Sequence, residues 1–495
     1  MKKRTLSFLL AVLMLSAVSC GEKAQTDTSN DTEKVADTTA AATEVQYLDN
    51  LPADLNYNGE TVRFLYREEV SDEFYVEKED GDIVHDAIFQ SMRSVEERLN
   101  VNIEVELRPG HLVDARDTYM NHVTNSVLAG DKTYDWVDLM IGNSPLRAQE
   151  GIFLNLLENP MIDLSQPWYI PDLAETVSIL DQLYFISGDA SLGYLKCAFS
   201  MYYNQDLGKT YGVEDLYEVV ESGKWTIDKL IEVAKITASD LNNDGKFNMD
   251  DQLGYVSHDS NHPKGFMYSM NAPVFSKQSD GNWTFDYGSE HDYNVAEKCY
   301  ELKMNTDGVY FFSSTNAVAE SLDEYNRISS KFCNDEIFII SAEMDDVVSQ
   351  FRSMKSNYGI LPYPKYDEKQ SDYYSLISTI LTPGVSIPVT NNEPEKAGLI
   401  LEALAYYSVD TLTHAYYDTA LNNRYIRDED SGEMLDIIFA SRVYDFGFIF
   451  DVGGMGTLIQ TMFNSRKNNF ASEYEKRESK AQSAIADLMA SFEGA

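Results

Sequence analysis

Residues Ser200 to Lys235 read SMYYNQDLGKTYGVEDLYEVVESGKWTIDKLIEVAK, and Ser239 to Tyr255 follow at once as SDLNNDGKFNMDDQLGY. The first stretch continues an extended run that starts at Cys197, CAFSMYYNQD, paired in pattern with the preceding LDQLYFISGD. After Asn204 its character turns helical, because apolar residues recur at three- and four-residue spacing. The second stretch is a polar loop. Asp240, Asn242, Asp244, Gly245, Lys246, Asn248 and Asp251 fall at positions 1, 3, 5, 6, 7, 9 and 12 of an EF-hand-type loop. Hard cations want several oxygens converging on one point, and Gly245 permits the sharp turn that brings them round. The main-chain carbonyl of Lys246 adds a ligand. Position 12 is Asp251 rather than the usual Glu, so its shorter side chain reaches less far. There is one copy of the loop and no Met-rich groove beside it, which sensors need. The loop therefore reads as a structural Ca2+ brace.

Upstream, ETVRFLYRE (Glu60 to Glu68) is a β-type run. Asp86 to Asn100 carries Ile88, Phe89, Met92, Val95 and Leu99 at helical spacing. VNIEVEL alternates as a strand, a second helix reads from Asp114 to Ala129, and WVDLMIG (Trp136 to Gly142) is a short apolar strand. Strand, helix, strand, helix, strand predicts an α/β fold with a parallel sheet. Such sheets bind ligands at the carboxyl ends of their strands. Arg67, Glu68, Gly142, Asn143 and Ser144 lie at those ends.

The ends of the chain set the compartment. Lys2, Lys3 and Arg4 precede an apolar run from Leu6 to Leu15, then Ala17-Val18-Ser19-Cys20. This is a secretory signal, too short to span a bilayer, and its end resembles a bacterial lipobox that makes Cys20 the lipidated first residue. Residues 21–45 are rich in Thr, Ala, Asp, Ser and Glu, and read as a disordered tether. About 450 residues remain, too many for one core, so two lobes are expected. The net charge of −42, from 39 basic against 81 acidic residues, repels nucleic acid and anionic lipid. Cys197, Cys299 and Cys333 form no C-x-x-C pair and read as buried free thiols.

Taken in order, Ser200–Lys235, the Asp240–Asp251 loop and the later NYGILPYPK resemble the extracellular solute-binding lipoproteins of bacterial ABC importers, in the family 1-like group that mostly carries sugars. The resemblance covers nearly the whole mature chain. It implies two α/β lobes of the periplasmic-binding-protein type, joined by crossing strands, with a ligand cleft between them. The expected division is a signal peptide over 1–20, the tether over 21–45, a first lobe over 46–203 and 378–412, and a helix-rich second lobe over 204–377 and 413–495. The crossings fall near Asn204 and near Ile377 to Gly384. It also implies a carbohydrate ligand, permease subunits as partners, a monomer held to the outer face of the membrane by lipid alone, and structural calcium away from the ligand.

Catalysis finds little in the sequence. There are seven His, and no H-E-x-x-H, G-x-S-x-G or Gly-rich phosphate loop. Acid pairs such as AEMDD (Ala342 to Asp346) arise by chance among 81 acidic residues, and this one also suits a helix N-terminus. The rival readings are a surface-anchored glycan-degrading enzyme, a receptor for a non-sugar solute such as a peptide, and an adhesive scaffold. Sugar capture needs aromatic faces for the ring and planar polar groups for the hydroxyls. Trp136 and Trp225 read as core and interhelix packing, and Trp283 as an outer hairpin. Trp168, in QPWY, follows Pro on the cleft side. The candidate contacts are Arg67, Glu68, Asn143, Trp168, Tyr203, Asn204, Asp345 and Tyr374, with Tyr363 and Tyr444 weaker.

Overall fold

Strand β1 (Glu60–Arg67) starts the first sheet and pairs in parallel with β2 (Val101–Arg108), Glu60 opposite Val101 and Arg67 opposite Arg108. The computed structural model describes residues 51–142, 150–170, 173–259, 262–312, 318–344, 346, 350–351, 353–379, 382–417 and 430–493. On the other side of β1 runs β3 (Trp136–Met140), with Phe64 opposite Trp136. A late strand, β12 (Pro383–Ser386), adds antiparallel to β3. The sheet order is β12-β3-β1-β2. The helix Ile83–Leu99 links β1 to β2. Asp82 caps it by accepting from Val84 N and His85 N, and Asn100 ends it in the left-handed region. Of its predicted stripe, Ile88, Met92, Val95 and Leu99 are buried. Phe89 is half-buried and carries Arg93 on its face. Trp136 is buried, as read, and its Nε1 donates to Ala397 O at 3.0 Å, tying β3 to the helix Pro394–Ser408.

The second sheet has the order β10-β4-β9-β5-β8. It is built from β4 (Phe199–Asn204), β5 (Leu253–His258), β8 (Val309–Phe312), β9 (Ile337–Glu343) and β10 (Tyr358–Leu361). β5 is parallel to β8 and β9, while β4 runs antiparallel to β9 and β10. β4 therefore lies wholly inside this sheet. The chain reaches it from Ile186, which bridges Val385 of β12, so the link between the sheets precedes Phe199. A small hairpin, β6 (Phe275–Lys277) with β7 (Trp283–Phe285), sits apart.

The Ser200–Lys235 stretch folds as its pattern requires. Asn204, Asp215 and Thr226 each cap a successive helix, Gln205–Tyr211, Leu216–Glu221 and Ile227–Thr237. Gly212 ends the first of them in the left-handed region. Trp225 is fully buried between helices, as read, and donates from Nε1 to Pro362 O at 2.8 Å. Trp283 does lie in a hairpin, but it is buried, stacked on Phe446 with ring centroids 4.0 Å apart. Cys197 and Cys299 are buried and Cys333 is half-buried, and none of the three is in a disulfide. Among the described residues no helix is long and apolar enough to cross a membrane. The leader, the tether and Cys20 lie outside the described residues.

Candidate functional site

Three chain segments run side by side at one place. Ala198 bridges Ile377, and Ser378 N donates to Cys197 O at 2.9 Å. β11 (Ser375–Leu376) pairs in parallel with β13 (Arg442–Val443). Ser375 N donates to Ser441 O at 2.8 Å and Ile377 N to Val443 O at 3.1 Å. The run from Ser375 precedes β12 of the first sheet, and Cys197–Ala198 precedes β4 of the second, so these two segments are crossings. The third segment, Ser441–Val443, joins the helix Ser431–Ala440, which packs on β10, to Asp445 and Phe446, which pack on Tyr268 and Trp283, so it pairs with the crossing at Ser375 without itself passing between the sheets. It stops where Asp445 turns back as a cap, accepting from Phe448 N at 2.6 Å.

Beside them opens a cavity of about 520 Å³, walled by Tyr373, Tyr374, Ser441, Arg442 and Tyr444, with Asp372 also in its lining. Arg442 is held rigidly. Its Nε donates to Phe439 O at 3.1 Å, and its guanidinium carbon lies 4.1 Å from the Tyr194 ring centroid and 4.5 Å from that of Phe439. Its Nη1 is buried with no hydrogen-bond partner. The hydroxyls of Tyr194, Tyr444, Ser378 and Thr382 are likewise buried and unpartnered. Of these groups Arg442 and Tyr444 line the cavity, and since native interiors leave few such groups unmet, the two mark a place that takes polar ligand atoms. Asp189 is buried next to this group. Burial pushes its carboxyl up to about 6, against the opposing pull of Arg442 and Thr413. Burial also raises the phenols of Tyr194, Tyr373 and Tyr444, so all three stay neutral donors near pH 7.

Of the residues expected to contact ligand, Tyr374 and Tyr444 line this cavity. The others lie elsewhere. Arg67 does end β1, but it is 1% exposed and committed to Asp138: Nε to Oδ2 at 2.5 Å and Nη2 to Oδ1 at 3.3 Å, with Nη1 2.9 Å from His111 Nδ1. Burial, together with the adjacent Arg67 and Arg116 charges, holds His111 down to about 4, so it is neutral. Glu68 is exposed at the start of a 3-10 turn. Asn204 is buried; its Oδ1 accepts from Leu207 N at 2.8 Å and its Nδ2 donates to Asp335 Oδ1 at 2.6 Å. That is a capping role, legible in an Asn placed before a helical run. Tyr203 is buried edge-on against Tyr217. Trp168 packs edge-on to Tyr406, and its Nε1 donates to Glu402 Oε1 at 3.0 Å. Tyr363 is buried with its hydroxyl 2.7 Å from His262 Nδ1. Asn143, Ser144 and Asp345 lie outside the described residues. Asp346 of the AEMDD pair is buried and accepts from Glu343 N at 2.9 Å and from Tyr325.

Sequence reasoning missed Arg442, Tyr194 and Asp189. The signal for Arg442 was weak: a lone cation in SRVYDFG, after an apolar helix and before a capping Asp.

The polar loop is closed at its base by Ser239 N to Gln252 O at 3.0 Å and Gln252 N to Ser239 O at 3.1 Å. Inside it, side-chain oxygens face inward and take backbone N–H groups. Asp240 Oδ2 accepts from Gly245 N, Asn242 Oδ1 from Asp244 N, and Asp244 Oδ1 from Lys246 N. Asp251 is fully buried and accepts from Leu241 N and Asn248 N, so it braces the turn from within. Asp240 Oδ1 is buried and has no partner. Among the described residues no three His, Cys, Asp or Glu side chains converge as a metal cluster. The donors that fit a hard cation here are the Asp240 carboxylate and the spare lone pairs of Asn242 and Asp244.

No protein-family model and no curated protein matches the chain. Solved structures do match its fold. One is an ABC substrate-binding protein from Listeria monocytogenes in complex with cycloalternan, at TM-score 0.53 and 12% identity, covering 86% of this chain and 99% of that one. Another is the galacto-N-biose/lacto-N-biose I-binding protein of the ABC transporter from Bifidobacterium longum, in complex with lacto-N-biose, at TM-score 0.57 and 10% identity, covering 87% and 98%. A sugar transporter from Rhizobium etli, in an open conformation, matches at TM-score 0.54 and 13% identity over 86% and 99%. The chain thus has the two-lobed α/β architecture of the solute-binding proteins, with crossing strands between the lobes.

Proposed function

We propose that this protein is the substrate-binding lipoprotein of a bacterial ABC importer, anchored at Cys20 on the outer face of the membrane. It captures a sugar or oligosaccharide without altering it and delivers it to the permease subunits. The observation that carries this reading is the cavity at the crossing segments. It combines aromatic walls, Tyr373, Tyr374 and Tyr444, with two donors left unmet, Arg442 Nη1 and the Tyr444 hydroxyl. That is the composition carbohydrate recognition asks for: ring faces stacked on aromatics, hydroxyls bonded by fixed polar groups. Ligand held there bridges parts of both lobes and so favours their closed arrangement, the form presented to the permease.

The test is a thermal-shift screen against an oligosaccharide library, followed by calorimetry. Tyr444→Ala is expected to weaken binding by roughly 5- to 150-fold, the loss of one large buried apolar face at about 1–3 kcal/mol. Trp168→Ala, on the side of Glu402, serves as the comparison. Steady release of shortened sugars by the purified protein, lost on replacing one carboxylate, would overturn the receptor reading in favour of a hydrolase.

The anchor and the loop are tested separately. Cys20→Ala is expected to release the protein into the medium or block its processing, with the intact lipid-modified mass as the readout. Calcium in the Asp240–Asp251 loop would be held by Asp240, Asn242 and Asp244 as a brace. Chelation should then lower the melting temperature, since a ligand bound only to the folded form stabilises it by about 2.7 kcal/mol at a hundredfold excess over Kd. Asp244→Ala should mimic chelation and abolish any further response. A melting curve insensitive to both calcium and chelator removes the metal from the account.

A further inference from the structure

We infer that the ligand carries a carboxylate, and that Arg442 is the residue that selects for it: the preferred substrates are uronic-acid-containing carbohydrates. This rests on the reading that the cavity at the crossing segments takes a carbohydrate, and it narrows the class.

Arg442 is the one cationic side chain among the described residues lining the cavity. Its guanidinium is packed against Tyr194 and Phe439, and its Nε is spent on Phe439 O. That fixes both the plane and the rotation of the group and leaves the Nη edge as the available one. Nη1 is buried and unpartnered. Asp189 is near enough to feel that charge, which lowers its carboxyl against the effect of burial. The guanidinium is half-buried with its Nη1 enclosed and without a hydrogen-bond partner, and a neutral diol meets that need while adding no negative charge to that of Asp189. A carboxylate does both, because the planar Nη edge matches two carboxylate oxygens in parallel. Tyr444 lines the same cavity and its hydroxyl is also without a partner, so the pocket offers an anion an O–H donor beside the guanidinium. Asp372 is exposed, well placed for the hydroxyls of a sugar ring and not for its acid group.

The experiment is calorimetry on the full mature protein at fixed ionic strength with three probes: digalacturonic acid, its methyl ester, and the matching neutral galactobiose. Wild type should bind the acid roughly 10- to 150-fold more tightly than either uncharged form, the value of a charge-assisted pair over a neutral one. Arg442→Gln should erase that preference and Arg442→Lys keep part of it. The same design with glucuronate-bearing and plain xylo-oligosaccharides covers a different backbone. Equal or tighter binding of the uncharged probes to wild type overturns the inference, and so does an Arg442→Gln protein that still prefers the acid. The acid-versus-ester comparison needs no variant, so it decides the matter even if Arg442→Gln does not fold. Binding of neutral sugars alone defeats this inference and leaves the carbohydrate receptor standing; binding of no carbohydrate defeats both.

Discussion

Arg67→Ala should cost about 3–5 kcal/mol of folding stability, a large part of the roughly 5–15 kcal/mol that a domain has. The side chain is 1% exposed and its partner Asp138 is fully buried on β3, in the middle of the first sheet. Around them Glu73 pairs with Lys196 at 3.1 Å and accepts from Tyr66 Oη at 3.4 Å. Removing Arg67 strands the Asp138 carboxylate. Burial already raises that carboxyl, with Arg67 opposing it. In the variant the opposition is gone, and the folded protein prefers the protonated acid more strongly than the unfolded chain does. A folded pKa above the unfolded one means stability is regained as pH falls, so the deficit should shrink toward acid pH. The double variant Arg67→Met with Asp138→Leu removes both charges and should recover most of the loss. Denaturant midpoints for the three proteins at two pH values make the check. A single-variant loss under about 1 kcal/mol at neutral pH would mean the pair is solvated.

Gly254→Ala is expected to be at least as damaging, about 3 kcal/mol or more, through overpacking. A Cβ on Gly254 would lie 1.8 Å from Ala234 O and 2.5 Å from its carbonyl carbon. Both are backbone atoms of the helix Ile227–Thr237, so no rotamer change can make room. The helix must move off β5, and its C-terminal end feeds directly into the Asp240–Asp251 loop. A comparison sharpens the test. Gly245 sits at φ +76 with nothing within 4 Å of its would-be Cβ, so Gly245→Ala meets only backbone strain, about 1 kcal/mol. Thermal melts should rank the two variants widely apart, and similar melting temperatures would refute the packing account.

What the sequence reveals follows the range of the interactions involved. The helix stripe Ile88, Met92, Val95 and Leu99, the parallel start of the first sheet and the helical turn of the chain after Asn204 rest on spacings of a few residues, and they read correctly. Arg67 was rightly placed at a strand end. Its commitment to Asp138 was invisible, because the partner lies 71 residues away. Asn204 carried a local signal that pointed to capping, and the cleft reading overrode it. Tyr374 and Tyr444 reach the cavity only because two short extended segments, Ser375–Leu376 and Arg442–Val443, lie in register. A two-residue strand leaves no periodicity to detect. The same shortness hid Arg442.

The lateral bonding of the crossings has a mechanical consequence. Two crossing ribbons fastened edge to edge, Cys197–Ala198 to Ser375–Ser378, with Ser441–Val443 bonded alongside the second, behave like the leaves of a piano hinge. Flexing across their common width leaves the bonds between them intact, whereas twisting or sliding one ribbon past its neighbour would break them. The fold thereby gives the lobes one soft direction of travel, and Arg442 rides on the strip bonded alongside that hinge, where a bound molecule feels that travel directly.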